Sequence, residues 1–211
     1  GYLEISGIGT AEEYEEAIRK VYYKNTGNIP ILQTRTFTIS LLDADYLPET
    51  EHFYRFIKKT DVTWVEAKEA ADTMSYYGLK GYLATITSSI ENDFIWTKID
   101  GIGWIGASDA QTEGVWEWVT GPEKGTQFWQ GGINGYPVNN EFSNWARGEP
   151  NNAGDEDFAH INQNPNRAQK SWNDLENEGD GPNSQYYRAQ GYIVEFGGFE
   201  GEPEVKLSAY A

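Results

Sequence analysis

Between residues 120 and 171 the chain runs through Gly, Asn, Pro and acidic side chains, and only "DFAHI" (157–161) alternates as a strand should. Compact domains rarely carry more than about 12–15 residues of unstructured connection unless function orders them. Something beyond regular secondary structure therefore has to pin this stretch. Within it "GEPNNAGDEDF" (148–158) brings Glu149, Asp155, Glu156 and Asp157 together, and "SWNDL" (171–175) adds Asn173 and Asp174 downstream. Like charges at such spacing repel, so a partner of opposite charge is expected among them.

Composition narrows the partners. The 211 residues hold 16 Lys and Arg against 33 Asp and Glu, a net charge of -17, which repels nucleic acid and anionic lipid surfaces. No segment approaches the roughly 18 apolar residues of a membrane span, and no signal pattern follows Gly1, so the chain reads as a segment of something longer. With no Cys there is no disulfide framework, thiolate metal site or cysteine nucleophile.

The flanks of the long stretch are regular. "HFYRFI" (52–57), "GYLATI" (81–86), "GWIGAS" (103–108), "VWEWV" (115–119) and "GYIVEF" (191–196) read as strands, the last as a central closing strand. Thr63 and Glu66 make a capping box for a helix over 63–74 with Trp64, Ala67, Ala71 and Met74 on one face; Ser88 and Glu91 repeat the pattern for a helix over 88–99. Trp104, Trp116, Trp118 and Trp172 fall at alternating strand positions and are expected in the core. Residues 1–45 read as a strand, an acidic helix over 11–20 and two further strands, at 21–24 and 34–41, and "EVKLSAY" (204–210) alternates.

The acid cluster has a chemistry of its own. Calcium takes six to eight oxygen ligands at about 2.3–2.6 Å from carboxylates, amides, backbone carbonyls and water. Glu149, Asn151, Glu156, Asn173 and Asp174 supply that donor set, with no Cys or His among them to favour a softer metal. Pro150 follows Glu149, and X-Pro bonds are where cis peptides occur, so Glu149-Pro150 is expected to be cis.

These motifs in this order, "HFYRF", two capped helices, "GWIGASD", "EPN" (149–151) and "WND" (172–174), resemble the C-type lectin-like domain over 51–198. The resemblance implies an α+β fold with two helices, small antiparallel sheets and a long calcium-binding loop. With a strand "LEISG" (3–7) before a short helix, an "NT" turn (25–26) and an "RTF" strand (35–37), residues 1–48 resemble part of a cadherin-like adhesin repeat, a partial β-sandwich-like unit, so the expected layout is 1–48, a lectin-like domain over 49–199, and a closing strand over 200–211 that could pair with the N-terminal segment.

In sugar-binding members of such a family, positions matching Glu149, Asn151, Glu156, Asn173 and Asp174 hold the ion while two sugar hydroxyls complete its shell; the "EPN" order goes with mannose, glucose or fucose. The interval from Asn151 to Glu156 is one residue shorter than in familiar animal members, which leaves the shares of Asp155, Glu156 and Asp157 open. Asp157 could serve a second ion, and Asp109 and Glu113 read as turn residues that could do so as well. Without disulfides the loop has to rely on the ion and on Trp145, Trp129 and Phe128. Trp129 and Tyr136 are candidate ligand-facing aromatics.

The expected function is a calcium-dependent binding module of a large bacterial surface adhesin, extracellular and monomeric within a longer chain, with a glycan ligand. An ion with open positions also accepts a peptide's C-terminal carboxylate, which stays as the alternative. No G-x-S-x-G motif occurs and there are only two His, so an enzyme is not expected.

Overall fold

The structure, a computed structural model, describes residues 16, 18–20, 44–161, 170–179, 184 and 187–203. The chain divides into two compact units, Gly1–Phe37 and Thr38–Ala211. In the first, Glu16 and Lys20 pair at 2.8 Å one helical turn apart, within the stretch read as a helix. The strands expected at 21–24, 34–41 and 204–210 lie outside the described residues.

In the second unit the two helices form where the caps predict them. The Thr63 hydroxyl accepts from the Glu66 N–H at 3.1 Å, and the Glu66 carboxylate accepts from the Thr63 N–H at 3.2 Å. This closed box starts α1 (Trp64–Asp72), which buries Trp64, Ala67 and Ala71. Ser88 caps α2 (Ser89–Lys98) by accepting from the Glu91 N–H at 3.2 Å, but Glu91 does not reach back. Its carboxylate faces inward and accepts from the Thr87 N–H and the Tyr54 hydroxyl, both at 2.7 Å. The second box is therefore half formed, because the first turn of α2 packs onto a strand and its N3 carboxylate finds a buried donor there.

That strand is β2 (His52–Lys58), which pairs with β1 (Asp45–Leu47) on one side and the closing strand on the other. The hairpin of β3 (Ser75–Tyr76) and β4 (Leu79–Leu83) follows α1; β5 (Gly103–Ser108) and β6 (Val115–Trp118) follow α2. Next come β7 (Gln127–Gln130), β8 (Tyr136–Pro137), β9 (Phe158–Ile161), β10 (Trp172–Leu175) and β11 (Gly191–Phe196). The strands follow one hydrogen-bonded path, β1-β2-β11-β5-β6-β7-β8, with β4 also on β11 and β9 also on β5.

Two expectations are corrected here. The strands form a mixed sheet rather than small antiparallel ones, because β11 runs parallel to β5 at Gly191 and Tyr192. Both strands are buried along their whole length, as interior strands of a covered sheet are. The stretch 120–171 also holds β7 and β8, which are too short, and in β8 too interrupted by Pro137, to show a period of two.

The core has two aromatic clusters. One lies around Trp64, Phe53, Trp104, Tyr192 and Phe196. The other lies around Trp116, Trp118, Phe128 and Trp172, with Trp129, Phe142 and Trp145 packed against it. Trp104, Trp116, Trp118 and Trp172 are each no more than 1% exposed, as their alternation predicts.

Candidate functional site

The site is assembled on β10. Its four residues, Trp172–Leu175, are all buried although Asn and Asp are poor strand formers, so the tertiary context overrides local preference. On one side β10 pairs with β9, placing Asn173 opposite His160 and Asp174 opposite Ala159. On the other side residues 144–146 run alongside: the Trp172 N–H donates to the Asn144 carbonyl and the Ala146 N–H to the Trp172 carbonyl, both at 2.8 Å. A turn closed by the Glu149 N–H on the Ala146 carbonyl at 3.0 Å then delivers Glu149, the cis Glu149-Pro150 bond and Asn151.

Glu149, Asn151 and Asp174 come together there. The Asn151 amide meets the Glu149 carboxylate. The N–H of Asn152 donates to Asp174 Oδ2 at 2.8 Å, and Asn173 Nδ2 donates to the Asp174 carbonyl. Glu149, Asn173 and Asp174 are buried, Asp174 completely. Its second oxygen, Oδ1, is buried with no hydrogen-bond partner among the described residues. Burial, with the Glu149 charge added, pushes the Asp174 carboxyl up to about 6 despite the N–H groups of Asn152 and Asn151 that favour its charged form. A buried carboxylate oxygen without a donor costs free energy unless a cation or proton meets it.

Glu156 is held by the backbone and side chain of its own loop. Its Oε2 accepts from the Ala153 N–H at 2.9 Å, and its own N–H donates to Asn152 Oδ1 at 2.7 Å. Among the described residues Glu113, Asp155 and Asp157 group instead, each bringing one carboxylate oxygen to within 4.8 Å of the others. Burial raises the Asp157 carboxyl, and Asp155 and Glu113 raise it further.

Asp109 borders this trio. Its N–H donates to the Asp157 carbonyl at 3.2 Å, its Oδ2 accepts from the Gly114 N–H at 2.9 Å, and its Oδ1 is buried with no partner among the described residues. Burial, then Glu113, Asp157 and Asp174, push its carboxyl up to about 7 against the Gly114 hydrogen bond. The sequence signal for this second group was an Asp and a Glu four residues apart in a hairpin, ahead of an acidic run.

The two candidate aromatics separate. Trp129 packs against the core and its Nε1 donates to the Gly131 carbonyl at 2.9 Å, so it props the following loop. Tyr136 is 62% exposed. His160 is buried with its ring edge-on to Trp104, and Phe142 lies against Trp172. A cleft of about 230 Å³ bordered by Lys68, Lys80, Lys124 and Phe199 shares no residue with either acidic group.

A mixed sheet with two flanking helices, a pinned irregular loop and oxygen-rich chemistry at its edge is the architecture of a lectin-type binding domain. The Lectin C-type domain matches residues 60–182, and the chain belongs to that family, one of binding proteins rather than enzymes. Halomucin from Haloquadratum walsbyi is 39% identical over 95% of this chain, which spans only 2% of that protein's length. The crystal structure of the C-type lectin CEL-I from Cucumaria echinata superposes with a TM-score of 0.52 at 22% identity, covering 75% of this chain and 97% of that one. The cow C-type carbohydrate-recognition domain of CD23, determined in the presence of a GlcNAc2Man3 oligosaccharide, gives 0.50 at 21% identity, covering 75% and 96%. At these identities the two structures establish the fold alone. The cadherin-like reading of the flanks finds no support in these comparisons. No helix among the described residues is long and apolar enough to cross a membrane.

Proposed function

We propose that this chain is a calcium-dependent carbohydrate-binding module of a large extracellular surface adhesin, monomeric within a longer protein. The observation that carries this reading is the buried, donor-less Oδ1 of Asp174 beside the Glu149 carboxylate and the Asn151 and Asn173 amides. Glu149, Asn151, Asn173 and Asp174 would hold the ion, and Glu156 would join by releasing the Ala153 N–H. Bound calcium supplies an electrophilic centre for two vicinal sugar hydroxyls. Around it the carboxylates accept from those hydroxyls while the amides donate to them, so acid and amide pairs read the geometry of the diol.

The "EPN" order supports a mannose, glucose or fucose type ligand. Glu113, Asp155 and Asp157, with Asp109 beside them, would hold a second ion. Around residues 49–199 we place the lectin domain, with 1–48 and 200–211 as its flanks.

The test is a glycan and free-C-terminus peptide array probed in calcium and again in chelator. Calcium-dependent signal on mannose, glucose or fucose glycans is expected. Signal confined to peptides would assign the same ion to carboxylate capture, and signal that persists in chelator would remove the ion from the function.

A further inference from the structure

The loop "GGING" (131–135) joins β7 to β8, and Ile133 is its single large side chain. The loop is tethered at several points. The Gly131 N–H donates to the Gly114 carbonyl and the Gly135 N–H to the Gly132 carbonyl, both at 2.7 Å, while Trp129 Nε1 holds the Gly131 carbonyl at 2.9 Å. A Cβ at Gly135 would lie 2.5 Å from both the Gln130 carbonyl oxygen and Trp129 Nε1, so the turn closes this tightly only with glycine.

The loop also abuts the candidate ion site. A Cβ on Gly132 would lie 3.3 Å from the Pro150 carbonyl oxygen, and Pro150 sits between the candidate ligands Glu149 and Asn151. Ile133 follows Gly132 and is 59% exposed; Tyr136, at the loop's end, is 62% exposed. They are the two most exposed of the large apolar side chains among the described residues. An isoleucine held in water on a tethered loop gains free energy once an apolar surface covers it.

Resting on the sugar reading above, we propose that Ile133, with Tyr136 at the loop's end, is a specificity subsite for an apolar group carried next to the ion-bound diol. The ligand class is then a glycoside with an apolar or aromatic substituent rather than a free monosaccharide. Position argues for this occupant: Gly132 lies against the Pro150 carbonyl and Ile133 beside it is exposed, so a ligand anchored by two hydroxyls next to Pro150 would have this loop as its neighbour. Ile133 carries no oxygen ligand for the ion, so it would set preference among sugars without setting whether sugar binds.

Calorimetric titration of the domain with methyl α-mannoside and phenyl α-mannoside, in calcium, tests this. The phenyl glycoside should bind about three- to tenfold more tightly than the methyl one. Ile133→Ser should bring the ratio close to one and Ile133→Trp should raise it, with methyl α-mannoside affinity unchanged in both. A ratio near one in the unmodified protein, or one that survives Ile133→Ser, overturns the subsite while leaving the sugar reading intact. Absence of calcium-dependent methyl α-mannoside binding overturns the sugar reading and the subsite with it.

Discussion

The backbone N–H of Asn152 donates to Asp174 Oδ2 at 2.8 Å, tying the irregular loop to the interior strand β10. The next N–H along, that of Ala153, donates to Glu156 at 2.9 Å, so two consecutive amides each hold a carboxylate. Hydrogen bonds to charged groups contribute about 1.5–3 kcal/mol each, enough to order a loop that lacks a disulfide. The same bond leaves Asp174 with one oxygen satisfied and the other buried without a donor.

Asp174→Ala should therefore have two separable effects. In chelator below about pH 4, where the Asp174 carboxyl is protonated and carries no charge penalty, it releases the Asn152 N–H and lowers stability by about 1–3 kcal/mol. In calcium it also removes the part of the ion-dependent rise in Tm that comes from the ion at Glu149, Asn151, Asn173 and Asp174, about 2.7 kcal/mol at a hundredfold excess over that site's Kd, and leaves the part due to the second ion. Thermal unfolding of both proteins, with calcium and with chelator, separates the two effects.

The Glu113, Asp155 and Asp157 group predicts a second ion. Calcium titration should give a stoichiometry of two, and Asp157→Asn or Glu113→Gln should reduce it to one while Glu149, Asn151, Asn173 and Asp174 keep their ion. A stoichiometry unchanged by either substitution would remove this group from metal binding.

Trp172 is the packing centre of the site. Trp118, Phe128, Phe142 and Trp145 all lie with ring centroids within 5.9 Å of it, and its Nε1 donates to Asn92 at 2.8 Å. Trp172→Ala should cost about 3–5 kcal/mol, read as a lower urea midpoint. It should also weaken calcium binding, because Asn173 and Asp174 depend on β10 for their position.

Away from the loop, Glu91 and Glu195 are each 1% exposed, and the Tyr54 hydroxyl lies 2.7 Å from one and 3.1 Å from the other. Burial, with the Glu195 charge added, pushes the Glu91 carboxyl up to about 8, against the Thr87 and Tyr54 hydrogen bonds. Because the folded state holds this proton more tightly than the unfolded one, its stabilising contribution is complete below pH about 4.5 and fades as pH rises towards 8. Asp109 and Asp174 are raised too and add to the same slope without calcium. Urea unfolding in chelator should show stability falling across that range, and Glu91→Gln should flatten the slope. His52 Nδ1, 2.5 Å from Glu195, and Glu123, joined to Thr85 at 2.7 Å, border the pair and remain in that variant.

Much of this was legible in the chain itself. Thr63 with Glu66 marked α1, Ser88 marked α2, and "GWIGAS", "VWEWV" and "GYIVEF" marked three strands and, in the first two, three core tryptophans, because caps and periodicity are local properties of neighbouring side chains. "EPN" and "WND" marked the donor chemistry and the cis Glu149-Pro150 bond for the same reason. What escaped were β7 and β8, the role of Trp129 as a prop, the inward turn of Glu91, and the grouping of Glu113 with Asp155 and Asp157. The first three have no local signal, and the spacing of Asp109 and Glu113 ahead of an acidic run does not say which carboxylates meet: each depends on which distant segment lies alongside.

The sequence by itself determined the family, the helices, the interior strands and the oxygen-rich donor set. Only the tertiary structure decided that Asn144–Ala146 and β9 flank β10, so that Asn173 and Asp174 are buried beside Glu149 and Asn151 while Glu156 is held by Ala153. The physical reason is that residue type carries chemistry, whereas the burial and partners that give a carboxylate its charge state and its unmet valence arise only when strands far apart in the chain pair.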